Sequence, residues 1–152
     1  MLLIDTFIAQ SHISGIGLFT NQTIEQGTVI SKFHPGLEIY ISNYDLTTFP
    51  ELTQEFVKKQ SFHFDNYKYY FLPGGNERFI NHSQKNNLTL HADYRDFKSG
   101  EPNCIVALVD IPSGHELTLN YIEFDSEQYG KIVNHIELRD AKSWPPKIQL
   151  KK

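Results

Sequence analysis

The apolar stretches of this chain are short, and a glycine, proline or asparagine ends most of them. Residues 2–9 alternate loosely and are rich in Leu, Ile and Phe, and Gly15 and Gly17 then bracket a turn into Leu18-Phe19. Thr28–Phe33 and Leu37–Ile41 follow, split by His34-Pro35-Gly36. Ser61–Phe64 and Lys68–Leu72 flank Asp65-Asn66-Tyr67 as a hairpin would. Leu88–Tyr94 and Cys104–Val109 predict two more strands, joined by the polar loop Arg95–Asn103. Runs of this length, rich in strand formers and cut by turn residues, cannot build long helices. Only two helices are expected. One is capped by Asp45 and runs through Pro50, Leu52, Phe56 and Val57 to near Gln60; the other spans Ser126–Leu138, with Ile132, Val133 and Ile136 on its apolar side. The prolines after Trp144 keep the tail extended. The fold class is therefore mostly β, an α+β domain of small sheets.

A length of 152 residues fits one domain, and neither a repeat nor a linker suggests a second. The 13% aromatic content excludes a disordered chain. A single cysteine, Cys104, excludes an internal disulfide framework and a cysteine-rich zinc site, and the histidines lack HExxH-like spacing, so no metal is expected. No apolar run approaches the ~18 residues of a membrane span. Asp5 interrupts the place where a signal peptide needs continuous apolar residues. An intracellular, cytoplasmic protein without membrane contact is expected. The net charge of −4 argues against direct nucleic-acid binding, which needs a basic footprint, and permits a cationic partner.

Four segments carry chemistry. Ser14-Gly15-Ile16-Gly17 either makes a tight turn or lets the backbone approach a ligand. Gly75–Ser83 packs amide, imidazole, guanidinium and hydroxyl groups around two apolar residues, which serves a satisfied polar network or a ligand shelf. Asp110–Leu117 reads as strand, turn and strand, and Thr118-Leu119-Asn120-Tyr121 leads on into Phe124.

In this order the four segments resemble the SET-domain protein lysine methyltransferases. Gly15-Ile16-Gly17-Leu18-Phe19 is similar to that family's first Gly-x-Gly motif, and Arg78-Phe79-Ile80-Asn81-His82-Ser83 to its Arg-Phe-Ile-Asn-His-Ser motif without a mismatch. Glu116-Leu117-Thr118 with Tyr121 resembles its Glu-Leu-Thr-x-Asp-Tyr motif, and Asn87 stands where its Pro-Asn pair ends. The resemblance covers roughly residues 3–124 and implies a SET-type β-clip fold of curved sheets around a knot-like core, with residues 1–125 as the SET domain. It implies S-adenosylmethionine as cofactor, S-adenosylhomocysteine as its product, and a protein or peptide substrate whose target lysine enters a narrow channel. Ser14, Gly15, Ile16 and Gly17 would touch the cofactor through backbone; Arg78, Asn81 and His82 would hold its ribose, adenine or methionine part; Tyr121 would sit where cofactor and channel meet, as the catalytic residue. Phe62, Tyr69, Tyr70, Leu119 and Phe124 would line the channel, although Tyr69 and Tyr70, neighbours on a strand, should point to opposite faces.

Methyl transfer to an amine needs position and electrostatics, not an acid–base pair or a metal. The nucleophile must be a neutral amine. With a lysine pKa of ~10.4, neutralisation near pH 7 costs roughly 4 kcal/mol, which a dry aromatic channel beside a cation reduces. The chain departs from the family pattern at Gln84 and Asn86, which replace Cys and Pro, at Asn120 for Asp, and at Phe62 for a Tyr; Leu119 stands where many members carry Phe or Tyr. Family zinc-binding cysteines after the domain are absent, so residues 126–152, through the 126–138 helix and Trp144, are expected to close the site. Two functions follow: an active protein-lysine methyltransferase, with histone tails among its candidate substrates and nuclear residence if so, or a catalytically silent SET-like module that binds a peptide or partner. Chains this small can pair as homodimers to complete a groove.

Overall fold

Thr6–Gln10 (β1) and Ile16–Thr20 (β2) pair antiparallel, with Ala9 opposite Gly17. The computed structural model describes residues 1–34, 36–64, 68–91 and 104–125. The strand expected over residues 2–9 begins only at Thr6; Leu2 makes a single bridge to Ser31 instead. Val29–Lys32 (β3) follows, then Ile39–Ser42 (β4).

Two short helices stand where one was expected. Asn43–Thr47 (α1) is capped by Ser42, whose Oγ accepts from the Asp45 amide at 2.9 Å and donates to the Asp45 carboxylate at 2.7 Å. Asp45 lies inside the helix rather than capping it. Pro50 then forces a break, because it disfavours helical backbone at Phe49 and starts Glu51–Gln60 (α2) afresh. Lys58 and Lys59 in its last turn complement the helix dipole. Of the apolar side expected for this helix only Val57 is buried; Leu52 is 80% and Phe56 50% exposed.

Phe62–Phe64 (β5) and Tyr69–Leu72 (β6) form the predicted hairpin. Asn81–His82 (β7), Leu88–His91 (β8), Cys104–Ala107 (β9) and Thr118–Leu119 (β10) complete the strands among the described residues. Two three-stranded antiparallel sheets result, in the orders β3-β9-β8 and β4-β6-β5. The β7–β10 pair is parallel and joins distant parts of the chain. The predicted loop Arg95–Asn103, the turn Asp65–Tyr67 and the helix 126–138 lie outside the described residues.

Two apolar cores hold these sheets. The larger gathers Leu18, Ile30, Leu88, Ile105, Leu117 and Leu119 with others. Each side chain of this size contributes about 1.5–3 kcal/mol on burial. The smaller joins Ile41, Leu46, Val57 and Tyr70 beneath α1 and α2. Two carboxylates, Glu38 and Glu77, are buried beside the larger core. They are paired: the Met1 ammonium contacts both, and the Ser31 hydroxyl donates to Glu77 at 2.9 Å. Small sheets and few helices among the described residues match the mostly β, α+β class expected from the residues.

Candidate active site

Strands of two residues have no stability of their own. β7 and β10 are held together by bonds from outside the ladder. The Ser83 amide donates to the Leu119 carbonyl at 2.9 Å. The Asn87 side chain clamps the far end: its Nδ2 donates to the Glu116 carbonyl and its Oδ1 accepts from the Thr118 amide, both at 2.8 Å. This junction sets Asn81 and His82 beside the segment that ends in Tyr121.

On one side the junction grips the glycine loop. Asn81 Nδ2 lies 3.0 Å from the Ser14 carbonyl, 3.3 Å from that of Ile16 and 2.8 Å from Glu116 Oε1. The Ser11 amide takes the Gly15 carbonyl at 2.9 Å. The carbonyls of Ser14, Gly15 and Ile16 thus all face hydrogen-bond donors of the protein. Gly15 has φ +49°, a conformation that side chains rarely adopt, and open space where a Cβ would be. Gly17 is glycine for a different reason: a Cβ there would overlap the Glu116 carboxylate. That carboxylate also accepts from the Ser11 hydroxyl, whose Oγ lies 2.8 and 2.9 Å from its two oxygens.

On its other side the junction fixes Tyr121. The Tyr121 amide donates to His82 Nδ1 at 3.1 Å, so that nitrogen keeps its lone pair and the ring proton sits on Nε2. The Tyr121 hydroxyl donates to the Ile80 carbonyl. With its proton committed there, the phenol oxygen can offer a lone pair to a neighbouring group. Asn120 caps the 3₁₀ turn Tyr121–Glu123, its Oδ1 accepting from the Ile122 amide at 3.2 Å. An aspartate is not needed for that bond. Partial burial raises the Glu123 carboxyl above the ordinary carboxylate range, and a hydrogen bond from Asn120 partly offsets this.

Aromatic rings enclose the phenol. Phe62 meets Tyr121 edge-on at 5.9 Å and Phe124 edge-on at 5.8 Å, and Tyr121 and Phe124 lie 5.5 Å apart. Leu119 is buried below. Tyr69 packs on Phe64 one ring further out. Tyr70, expected along the channel, points to the other face of β6 and packs in the smaller core, 4.6 Å from the His63 ring. Arg78 is exposed, its guanidinium 5.2 Å from the Phe79 ring centroid. The structure therefore gathers the Ser14–Gly17 loop, Asn81, His82, Tyr121, Phe62, Leu119 and Phe124, and leaves Tyr70 apart. Three groups escaped the sequence reading. Ser11 belongs to no motif, the Ile80 carbonyl is backbone, and Glu116 stood in a motif without a role.

The SET domain family model matches residues 15–122. No curated protein matches this sequence. Among solved structures the chain is similar to a Plasmodium falciparum protein described as a candidate histone methyltransferase, at 20% identity and TM-score 0.55, covering 79% of this chain and 95% of that one. It is similar to the Neurospora SET domain protein DIM-5, a histone lysine methyltransferase, at 19% identity and TM-score 0.57, covering 79% and 53%. It is also similar to KRYPTONITE, solved with mCHH DNA, an H3(1-15) peptide and SAH, at 20% identity and TM-score 0.57, covering 80% and 24%. At these identities the shared property is the fold. With the family model matched over most of its length and the motif residues meeting at one junction, this chain belongs to the SET domain family.

Proposed function

We propose that this protein is an S-adenosylmethionine-dependent methyltransferase acting on the ε-amine of a lysine in a protein substrate. One observation carries the reading: the Asn81-His82 pair holds the glycine loop with one side chain and the Tyr121 backbone with the next. A loop open at Gly15 and a phenol among rings are thereby fixed to the same two residues. The loop suits the proposed cofactor because its Ser14, Gly15 and Ile16 carbonyls face donors of the protein and open space lies where a Gly15 Cβ would be. Ser14 to Gly17, Asn81 and His82 would hold the cofactor. When bound, S-adenosylmethionine supplies a methyl group already activated for transfer.

The protein's own part is to prepare the amine. Phe62, Phe124 and Tyr121 pack into one aromatic cluster, and an amine brought against these rings would meet an apolar surface that favours the uncharged form of lysine. The phenol oxygen, its proton given to Ile80, accepts an N–H from that amine and turns the amine lone pair toward the methyl donor. Phe62 carries no hydroxyl, so Tyr121 would orient the amine without a second phenol there. A substrate segment rich in lysine, as in histone tails, suits the acidic net charge of −4. KRYPTONITE was solved with an H3 peptide and SAH, and DIM-5 is a histone lysine methyltransferase, which supports the same substrate class and cofactor.

Calorimetry with S-adenosylmethionine tests the cofactor, and mass spectrometry of lysine-rich peptides incubated with protein and labelled cofactor tests the reaction. Binding and a gain of methyl mass on lysine are expected. A folded protein that binds no cofactor would reject this reading in favour of a silent peptide-binding module.

A further inference from the structure

Glu116 is a carboxylate whose partners among the described residues are a serine hydroxyl and an asparagine amide. Both partners belong to the glycine loop's support. Ser11 Oγ accepts from the Ile13 amide at 2.9 Å and from the Ser14 amide at 3.3 Å, so it caps the inside of the loop. Its hydroxyl proton goes to Glu116. The two N–H groups of Asn81 Nδ2 are shared among the Ser14 carbonyl, the Ile16 carbonyl and the same carboxylate, which is the nearest of the three. The carboxylate also fills the space beside Gly17 that any Cβ would need. Glu116 therefore ties the two supports of the loop to each other and props its exit.

We propose that Ser11 and Glu116 form a latch that sets the Ser14–Gly17 loop for the cofactor, which makes them positioning residues. The proposal rests on the reading of that loop as the cofactor rim. The latch touches neither the phenol at position 121 nor the rings around it, so its effect falls on cofactor affinity and not on the turnover of saturated enzyme. Charge-assisted hydrogen bonds are the stronger kind, and a carboxylate is suited to accept from two donors at once. A glutamine at 116 whose amide oxygen takes the place of Oε1 can still accept from both Asn81 Nδ2 and the Ser11 hydroxyl, so it should retain much of the function. An alanine retains none.

The test has two arms on the full chain. Hydrogen exchange of the Ile13 and Ser14 amides in the free protein reads the latch directly. Calorimetry with S-adenosylhomocysteine, with KM for S-adenosylmethionine and kcat beside it, reads its purpose. Glu116→Ala should speed exchange at both amides, although Glu116 bonds neither. It should weaken cofactor affinity by about tenfold, the loss of roughly one charged hydrogen bond, with kcat at saturating cofactor little changed. Glu116→Gln should fall closer to wild type in both arms, and Ser11→Ala should lose affinity in the same direction as Glu116→Ala. Ser11→Ala also keeps the proposal open to refutation should Glu116→Ala fail to fold. Unchanged exchange in a folded Glu116→Ala overturns the latch. Faster exchange with unaltered affinity, or a loss in kcat alone, overturns its link to the cofactor. A wild-type protein that binds no cofactor sinks the functional reading instead, while the exchange arm still decides whether the latch exists.

Discussion

The polar junction and the aromatic sheet are built on opposite principles. At the junction Asn81, His82, Asn87, Glu116 and Tyr121 are each fixed by directional bonds to named atoms. In the β4-β6-β5 sheet Phe71 touches four rings, those of Phe33, Tyr40, Phe62 and Phe64, at angles from 11° to 70°. Ring packing tolerates rearrangement because its energy varies slowly with angle. A hydrogen bond to a buried partner does not, since its loss leaves that partner unsatisfied. The first region defines where groups sit; the second supplies a dry wall whose exact make-up can drift.

Substitutions can break that contrast. The largest expected effect is Tyr121→Phe, which keeps the ring and removes the bonded oxygen. It should lower the methylation rate at least ~10²-fold and leave cofactor affinity unaltered, measured by labelled transfer and calorimetry. Near-normal turnover would mean the phenol oxygen positions nothing. Asn81→Ala comes next. It frees the Ser14 and Ile16 carbonyls, and should weaken cofactor binding and destabilise the fold by about 1–3 kcal/mol, followed by calorimetry and urea unfolding. Phe71→Leu should cost less than about 1.5 kcal/mol in urea unfolding, because neighbouring rings can close in. A cost above that of Asn81→Ala would erase the distinction between the two regions.

The smallest effect concerns Glu123, which lies in the turn between them. Its folded pKa is raised, so the native state holds this proton more tightly than the unfolded chain. Stability should therefore fall slightly as pH rises from the carboxyl's ordinary value of 4.5 through the raised folded value, and the full contribution is present below that window. Solvent screening keeps the change small at this partly exposed group. Comparing urea midpoints of wild type and Glu123→Gln across that range isolates it; a midpoint that rises relative to the variant would reverse the sign.

Much of this architecture was legible in the residues. Turn residues mark the hairpin at Phe62–Leu72, and the Arg-Phe-Ile-Asn-His-Ser run marks the junction because its polar groups require partners when packed. The single helix expected from an Asp45 cap is two in the structure because Ser42 offers an equally good cap and Pro50 stops one helix as readily as it begins another. Period alone assigns Leu52 and Phe56 to a buried side, yet α2 sends only Val57 into the smaller core, beside Leu46 of α1. The alternation of Tyr69 and Tyr70 foretold that they would part, but not which would face inward. The Ile80 carbonyl left no trace in the sequence, since backbone acceptors carry no letter.

The pairing of Asn81-His82 with Thr118-Leu119 has a kinetic consequence. Contacts between distant segments form late, because the intervening loop must lose its freedom before they repay it. A nascent chain can assemble the β1–β2 and β5–β6 hairpins from neighbouring residues as they emerge. The junction must wait until position 121 has left the ribosome and β10 has found its register against β7, so the candidate site assembles after the local hairpins.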